Sequence, residues 1–259
     1  MKHRRLQVRR PKHQPLTRQI PNLLTLLNLC AGATAIRFAL NNQFEEAVAA
    51  LLLAGILDLL DGGMARLLRA GSKLGAELDS LADLVSFGVA PAVMVYAWTM
   101  HTAGGIGWVP TLLFCVCAAL RLARFNIARN DTTDPAGADC YFMGLPTPGA
   151  AGIMLVPMLL GFQFPEGPFN NVLLNGTVIV VAALLMVSRL PTFSLKGRYV
   201  PHSFVLPLLL LFCLLVGFAI EVPWATLTVI MFVYIATMPI SLVTFRRLQR
   251  KSPPEFAPT

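Results

Sequence analysis

The chain is expected to be an all-α integral membrane protein, a polytopic bundle of about eight transmembrane helices. Three observations carry this. First, 56% of its 259 residues are hydrophobic and only 13% are charged, with a mean hydropathy of +0.65. Soluble domains carry about 25% charged residues. Second, the apolar residues gather into segments near the length of about 20 residues that spans a bilayer. Third, the basic residues alternate between successive links, as positive-inside topology demands.

In chain order, residues 1–20 form a basic arm with Lys2, Arg4, Arg5, Arg9, Arg10, Lys12 and Arg18, broken by Pro11 and Pro15. Apolar segments follow at 21–40, 44–68, 73–100, 107–129, 147–163, 171–190, 202–220 and 223–245. The tail from Arg246 is basic and then proline-rich. The links near 41–43, 101–106, 164–170 and 221–222 hold no Lys or Arg. Those near 66–73, 121–139 and 189–201, with the two termini, hold all the basic residues except Arg37. Both termini are therefore expected in the cytoplasm, which requires an even number of crossings. Eight satisfies this; the short span 147–163 also leaves room for six crossings with re-entrant segments. No cleavable signal peptide is evident.

The net charge of +8 lies at segment ends. It fits topology and anionic lipid rather than nucleic acid, and no basic groove with interleaved aromatics is present. Cys30, Cys115, Cys117, Cys140 and Cys213 form no C-x-x-C pair. Neither a disulfide framework nor a zinc site is expected. His101 and His202 are assigned no role.

The chain is organised around residues 58–83. Five of its 13 acidic residues fall here: Asp58, Asp61, Glu77, Asp79 and Asp83. Carboxylates are costly at membrane depth and usually functional there. Asp58 and Asp61 lie roughly 60° apart on one helix, and Asp79 and Asp83 roughly 40° apart on the next. Gly55, Gly62 and Ala65 share the first pair's face; Gly75, Ala82, Ser86 and Ala90 share the second's. Such small-residue stripes admit a neighbouring helix or a ligand. The link between the two helices is short, so the helices are antiparallel neighbours and the four carboxylates converge near the cytoplasmic boundary. They make a hard oxygen site for Mg²⁺ or Mn²⁺, and two such ions could clamp a diphosphate.

The pattern D-x-x-D-G-x-x-A-R-x8-G-x3-D-x3-D, filled by Asp58, Asp61, Gly62, Ala65, Arg66, Gly75, Asp79 and Asp83, resembles the signature of the CDP-alcohol phosphatidyltransferases. Three further stretches resemble the family's prokaryotic-type phosphatidylserine synthase branch. These are Asp79–Pro91, the run Arg121-Leu-Ala-Arg124-Phe-Asn126, and the turn Phe142-Met-Gly144-Leu-Pro146-Thr-Pro148. The likeness is strong over 21–150; the rest matches only as apolar helices. Gly149 departs from it, alanine being expected there.

The resemblance implies a six-helix catalytic core over 21–190, two additional helices over 191–245, a cytoplasmic tail over 246–259 and a homodimer in a prokaryotic cytoplasmic membrane. It implies transfer of the phosphatidyl group from CDP-diacylglycerol to L-serine, with release of CMP. Asp58, Asp61, Asp79 and Asp83 would hold about two metal ions, and Asp83, the last aspartate, would be the base. Asn22, Thr25, Gly62, Ala65, Arg66, Lys73 and Gly75 are the expected contacts to CDP-diacylglycerol. Asn28 continues the spacing of Asn22 and Thr25. Arg69 reads as an anchor. Ser86, Arg121, Arg124 and Asn126 are the candidates for serine, because a guanidinium fork fits a carboxylate bidentately. Glycerol phosphate or inositol phosphate as acceptor, and a cation transporter, are the alternatives. The acceptor phosphates would call for a denser basic pocket, and a transporter for broken helices or repeats near the midplane.

Overall fold

The computed structural model describes residues 19–68, 72–130, 141–188, 191–193 and 205–249. The basic arm up to residue 18, Arg69, the loop 131–140, residues 194–204 with Lys196 and His202, and the tail from 250 lie outside these. Among the described residues the chain forms eight long helices: Ile20–Leu40, Phe44–Leu67, Lys73–Trp98, Gly105–Asn130, Thr147–Gln163, Val172–Val187, Val205–Glu221 and Pro223–Gln249. They are called first to eighth below. Each of the eight apolar segments holds one.

Four stretches are long and apolar enough to cross a membrane: the first three helices and Gly105–Ile127 of the fourth. The others contribute shorter apolar stretches. Leu59, Leu67, Leu173 and Ile220 are each more than three-quarters exposed. In water such a surface would aggregate; facing lipid it costs nothing. The chain is a helical, multi-pass membrane protein.

The first two helices are joined by a three-residue turn, 41–43. Its Asn42 takes a left-handed backbone, φ 60°, which asparagine tolerates. The turn folds the second helix back along the first, and these two pack more extensively than any other pair among the described residues. Ala35 and Ala39 of the first helix and Ala47 and Ala54 of the second are all fully buried. Small residues let backbones approach where no hydrophobic drive separates helix from lipid.

The third helix crosses the first at Gly32. A Cβ there would lie 2.7 Å from the Ser86 Cα, so any larger residue would push the two helices apart. Ser72 caps the third helix, its hydroxyl accepting from the Gly75 N–H at 2.9 Å. The sequence predicts regular helix over 73–100, but Leu84–Val89 is a π-helical turn. Pro91 explains it: proline has no N–H for the carbonyl four residues back, and its ring crowds that turn. The wider turn begins immediately after Asp83.

The fifth helix, only 17 residues long, is the most central. Ala150, Met154, Leu155, Met158 and Leu159 are all buried. A helix apolar all round belongs inside a bundle. It packs between the third, sixth and eighth helices, while the seventh packs chiefly against the eighth. Two short strands, Tyr141–Met143 and Pro191–Phe193, pair antiparallel and clip the entry of the fifth helix to the exit of the sixth. Gly144 serves this clip. Its φ is +84°, and a Cβ there would lie 2.7 Å from the Met186 carbonyl oxygen. The ribbon is an addition to the all-α expectation, and its second strand packs on the eighth helix.

Candidate active site

Asp58 and Asp61 come from the second helix, Asp79 and Asp83 from the third. One carboxylate oxygen from each of Asp58, Asp61 and Asp79 falls within 4.8 Å of the others. Asp83 lies against Asp58 within hydrogen-bonding reach. Its Oδ1 is buried and has no hydrogen-bond partner among the described residues. Three of the four carboxylates therefore come together, and the fourth, Asp83, lies against Asp58.

The first helix closes one side. The Thr25 hydroxyl donates to Asp61 Oδ2 at 2.7 Å, and both side chains are buried. Asn22 sits against the start of the third helix, where a Cβ on Gly75 would lie 2.7 Å from its Oδ1. Asn28 is fully buried, and neither polar atom of its side-chain amide has a hydrogen-bond partner among the described residues. The small-residue stripes divide into two kinds. A Cβ built on Gly55 would meet the Phe87 ring and one on Gly75 would meet Asn22, whereas among the described residues nothing lies within 4 Å of one on Gly62. The second helix thus presents open backbone beside the aspartates. Ala65 is half-buried one turn on; Arg66 and Lys73 are exposed at the same end. The Arg66 Nε donates to the Gly62 carbonyl at 3.0 Å.

The fourth helix separates the two arginines that its periodicity put on one face. Arg121 lies within electrostatic reach of Asp83. Its Nη1 donates to the Thr147 hydroxyl at 2.6 Å, while its Nε is buried with no hydrogen-bond partner among the described residues. Arg124 is exposed, and its Nη1 donates to the Val187 carbonyl at 3.4 Å, at the end of the sixth helix. Asn126 accepts from the Ser80 hydroxyl at 2.9 Å and donates to Glu77 at 3.3 Å, clipping the fourth helix to the third. Ser86 is fully buried, its hydroxyl donating to the Asn28 carbonyl at 3.2 Å. Of the four acceptor candidates, Arg121 is brought to the aspartates; the other three are engaged in contacts between helices.

Two neighbours escaped the sequence reading. Thr147 begins the fifth helix inside the Phe142–Pro148 turn, and a lone polar residue between two prolines was the available signal. Tyr234, on the eighth helix, lies within electrostatic reach of Arg121. Nothing in the apolar sequence around it marks it out.

Like charges gathered this closely repel, and a bound cation would relieve that repulsion. The oxygen-only donor set and the unpartnered Asp83 Oδ1 fit a divalent metal. The Arg121 guanidinium, whose Nε has no hydrogen-bond partner among the described residues, lies within electrostatic reach of Asp83, and Gly62, next in the chain to Asp61, is open. Such an arrangement suits a substrate that carries a diphosphate and a second one that carries a small anionic group.

The family model described as CDP-alcohol phosphatidyltransferase matches residues 18–190, and the chain belongs to that family. Within it, the chain is similar to proteins named CDP-diacylglycerol–serine O-phosphatidyltransferase. That of Mycobacterium bovis is 39% identical over 229 residues, covering 88% of this chain and 80% of the relative. That of Helicobacter pylori is 40% identical over 195 residues, covering 74% and 79%. An archaeal relative of the same name, from Methanocaldococcus jannaschii, is 38% identical over 170 residues, covering 65% and 71%.

Proposed function

We infer that this chain transfers the phosphatidyl group of CDP-diacylglycerol to L-serine, giving phosphatidylserine and CMP. The name shared by its relatives supports the reaction. The observation that carries the acceptor is that Asp83 and Arg121 lie within electrostatic reach of each other, and that Asp83 Oδ1 and Arg121 Nε are buried without a hydrogen-bond partner among the described residues. Serine offers a hydroxyl to the first and a carboxylate to the second. A dianionic acceptor such as glycerol phosphate or inositol phosphate would need more cations than this one guanidinium.

In the proposed mechanism Arg121 holds the serine carboxylate and so aims the hydroxyl at the phosphorus that carries the diacylglycerol. Asp83 takes the hydroxyl proton as the new oxygen–phosphorus bond forms, and the bond to the CMP oxygen breaks. Asp58, Asp61, Asp79 and Asp83 would hold Mg²⁺ or Mn²⁺, two ions by our reading, which supply positive charge to the diphosphate and to departing CMP. Asn22, Thr25, Gly62, Ala65, Arg66, Lys73 and Gly75 are proposed to contact the CDP headgroup. Purified protein supplied with CDP-diacylglycerol should release CMP with serine and not with glycerol phosphate or inositol phosphate. Arg121→Lys keeps the charge but loses the fork. It should raise KM for serine about tenfold and leave KM for CDP-diacylglycerol nearly unchanged. Equal rates with all three acceptors would overturn the serine reading.

We further propose eight crossings, both termini in the cytoplasm and the site at the cytoplasmic face of a prokaryotic inner membrane. The six-helix core is residues 21–190; 191–245 add two helices, and the protein acts as a homodimer. The alternation of basic links supports the orientation. Single cysteines placed at 41–43, 101–106 and 164–170, with native cysteines removed, should react only with external reagent, and one at Lys196 only from inside. A C-terminus labelled from outside would refute this topology. Light scattering on the purified protein measures the dimer.

A further inference from the structure

The eighth helix lies outside the segment that the family model matches, yet it is fitted closely along the fifth. The Phe162 and Trp224 rings meet edge-on at 5.2 Å. The Gln163 amide donates to the Thr228 hydroxyl at 2.9 Å. A Cβ on Gly152 would strike the Met231 sulfur, and one on Gly149 would lie 2.6 Å from the Tyr234 hydroxyl oxygen and 2.9 Å from two ring carbons. Gly149 and Gly152 share one face of the fifth helix, and Met231 and Tyr234 share one face of the eighth. Two side chains thus enter two glycine notches. The departure at Gly149 acquires a physical reason, because alanine there would expel the tyrosine.

This seating fixes where the phenol lies. Gly149 lies in the same first turn of the fifth helix as Thr147, whose hydroxyl accepts from Arg121 Nη1 at 2.6 Å, although the two positions face about 200° apart. Tyr234 is half-buried and within electrostatic reach of the same guanidinium. A phenylalanine would fill the notch as well, so packing alone does not call for the hydroxyl. A hydroxyl at the inner end of a membrane-buried ring usually serves a polar neighbour.

We propose that Tyr234 is a positioning residue of the acceptor pocket: seated in the Gly149 notch, it holds Arg121 against Thr147 with its Nε turned to the acceptor carboxylate. The accessory eighth helix then completes a site whose other residues come from the first four helices and the start of the fifth. The inference rests on the reading that Arg121 binds serine.

The test is steady-state kinetics with both substrates varied, on the full-length wild type, Tyr234→Phe, Arg121→Lys and the double variant. Tyr234→Phe keeps the ring, so the helix contact survives. Its KM for serine should rise about three- to tenfold, the range expected for one lost polar contact, with KM for CDP-diacylglycerol unchanged. In the Arg121→Lys background the same change should add little, because the two residues act as one unit. Gly149→Ala, which displaces the ring, should reproduce the serine defect. If Arg121→Lys raises the serine KM and Tyr234→Phe does not, the positioning role is wrong and the Arg121 reading stands. An equal effect of Tyr234→Phe in both backgrounds likewise refutes the role. If Arg121→Lys changes only the KM for CDP-diacylglycerol, the acceptor reading itself falls, and this assignment with it.

Discussion

Asp83→Asn should lower kcat by about a thousandfold, within the range that a positioned general base contributes. Asparagine has nearly the same shape and fills the same space against Asp58, but it cannot accept the serine proton. Asp83 is also one of the proposed metal ligands, so two losses must be separated. A lost ligand is offset by raising the concentration of Mn²⁺; a lost base is not. The variant should stay inactive across a metal titration while binding of CDP-diacylglycerol weakens less. If more than about a tenth of kcat survived, another group would have to take the proton, since a missing base should cost at least a hundredfold.

Removing divalent metal should have an effect as large. With chelator in excess, CMP release should stop, and Mg²⁺ or Mn²⁺ should restore it. A second readout does not depend on turnover. The oxygens of Asp58, Asp61 and Asp79 lie within 4.8 Å of one another, and like charges so close repel strongly in a poorly solvated site. A ligand that binds only the folded state stabilises it. Melting temperature should therefore fall on chelation and recover with added metal. Full activity in excess chelator, or a melting temperature indifferent to metal, would exclude the metal-holding role of the quartet.

Much of the site was legible because helical periodicity is local. Asp58 with Asp61, and Asp79 with Asp83, must share faces wherever the helices go. The short link 68–72 leaves the two helices little choice but to lie antiparallel. The same reasoning could not separate Arg121 from Arg124. Both lie on one face of the fourth helix, yet one meets Thr147 and the other the Val187 carbonyl. It also could not tell that Gly75 would touch Asn22 while Gly62 stayed open, since a glycine promises space and not its occupant.

Composition, the apolar segment lengths and the aspartate spacing were enough to establish a helical membrane protein with a carboxylate centre between its second and third helices. Each depends only on residues near one another in the chain. The π turn after Asp83 was also foreshadowed locally, by Pro91. The central place of the short fifth helix, the buried Ser86 hydroxyl at the Gly32 crossing and the seat of Tyr234 in the Gly149 notch depend on how distant helices pack. In a membrane every helix is apolar, so hydrophobic pattern carries little information about which faces meet. Side-chain shape decides that, and shape becomes readable only when both partners are in place.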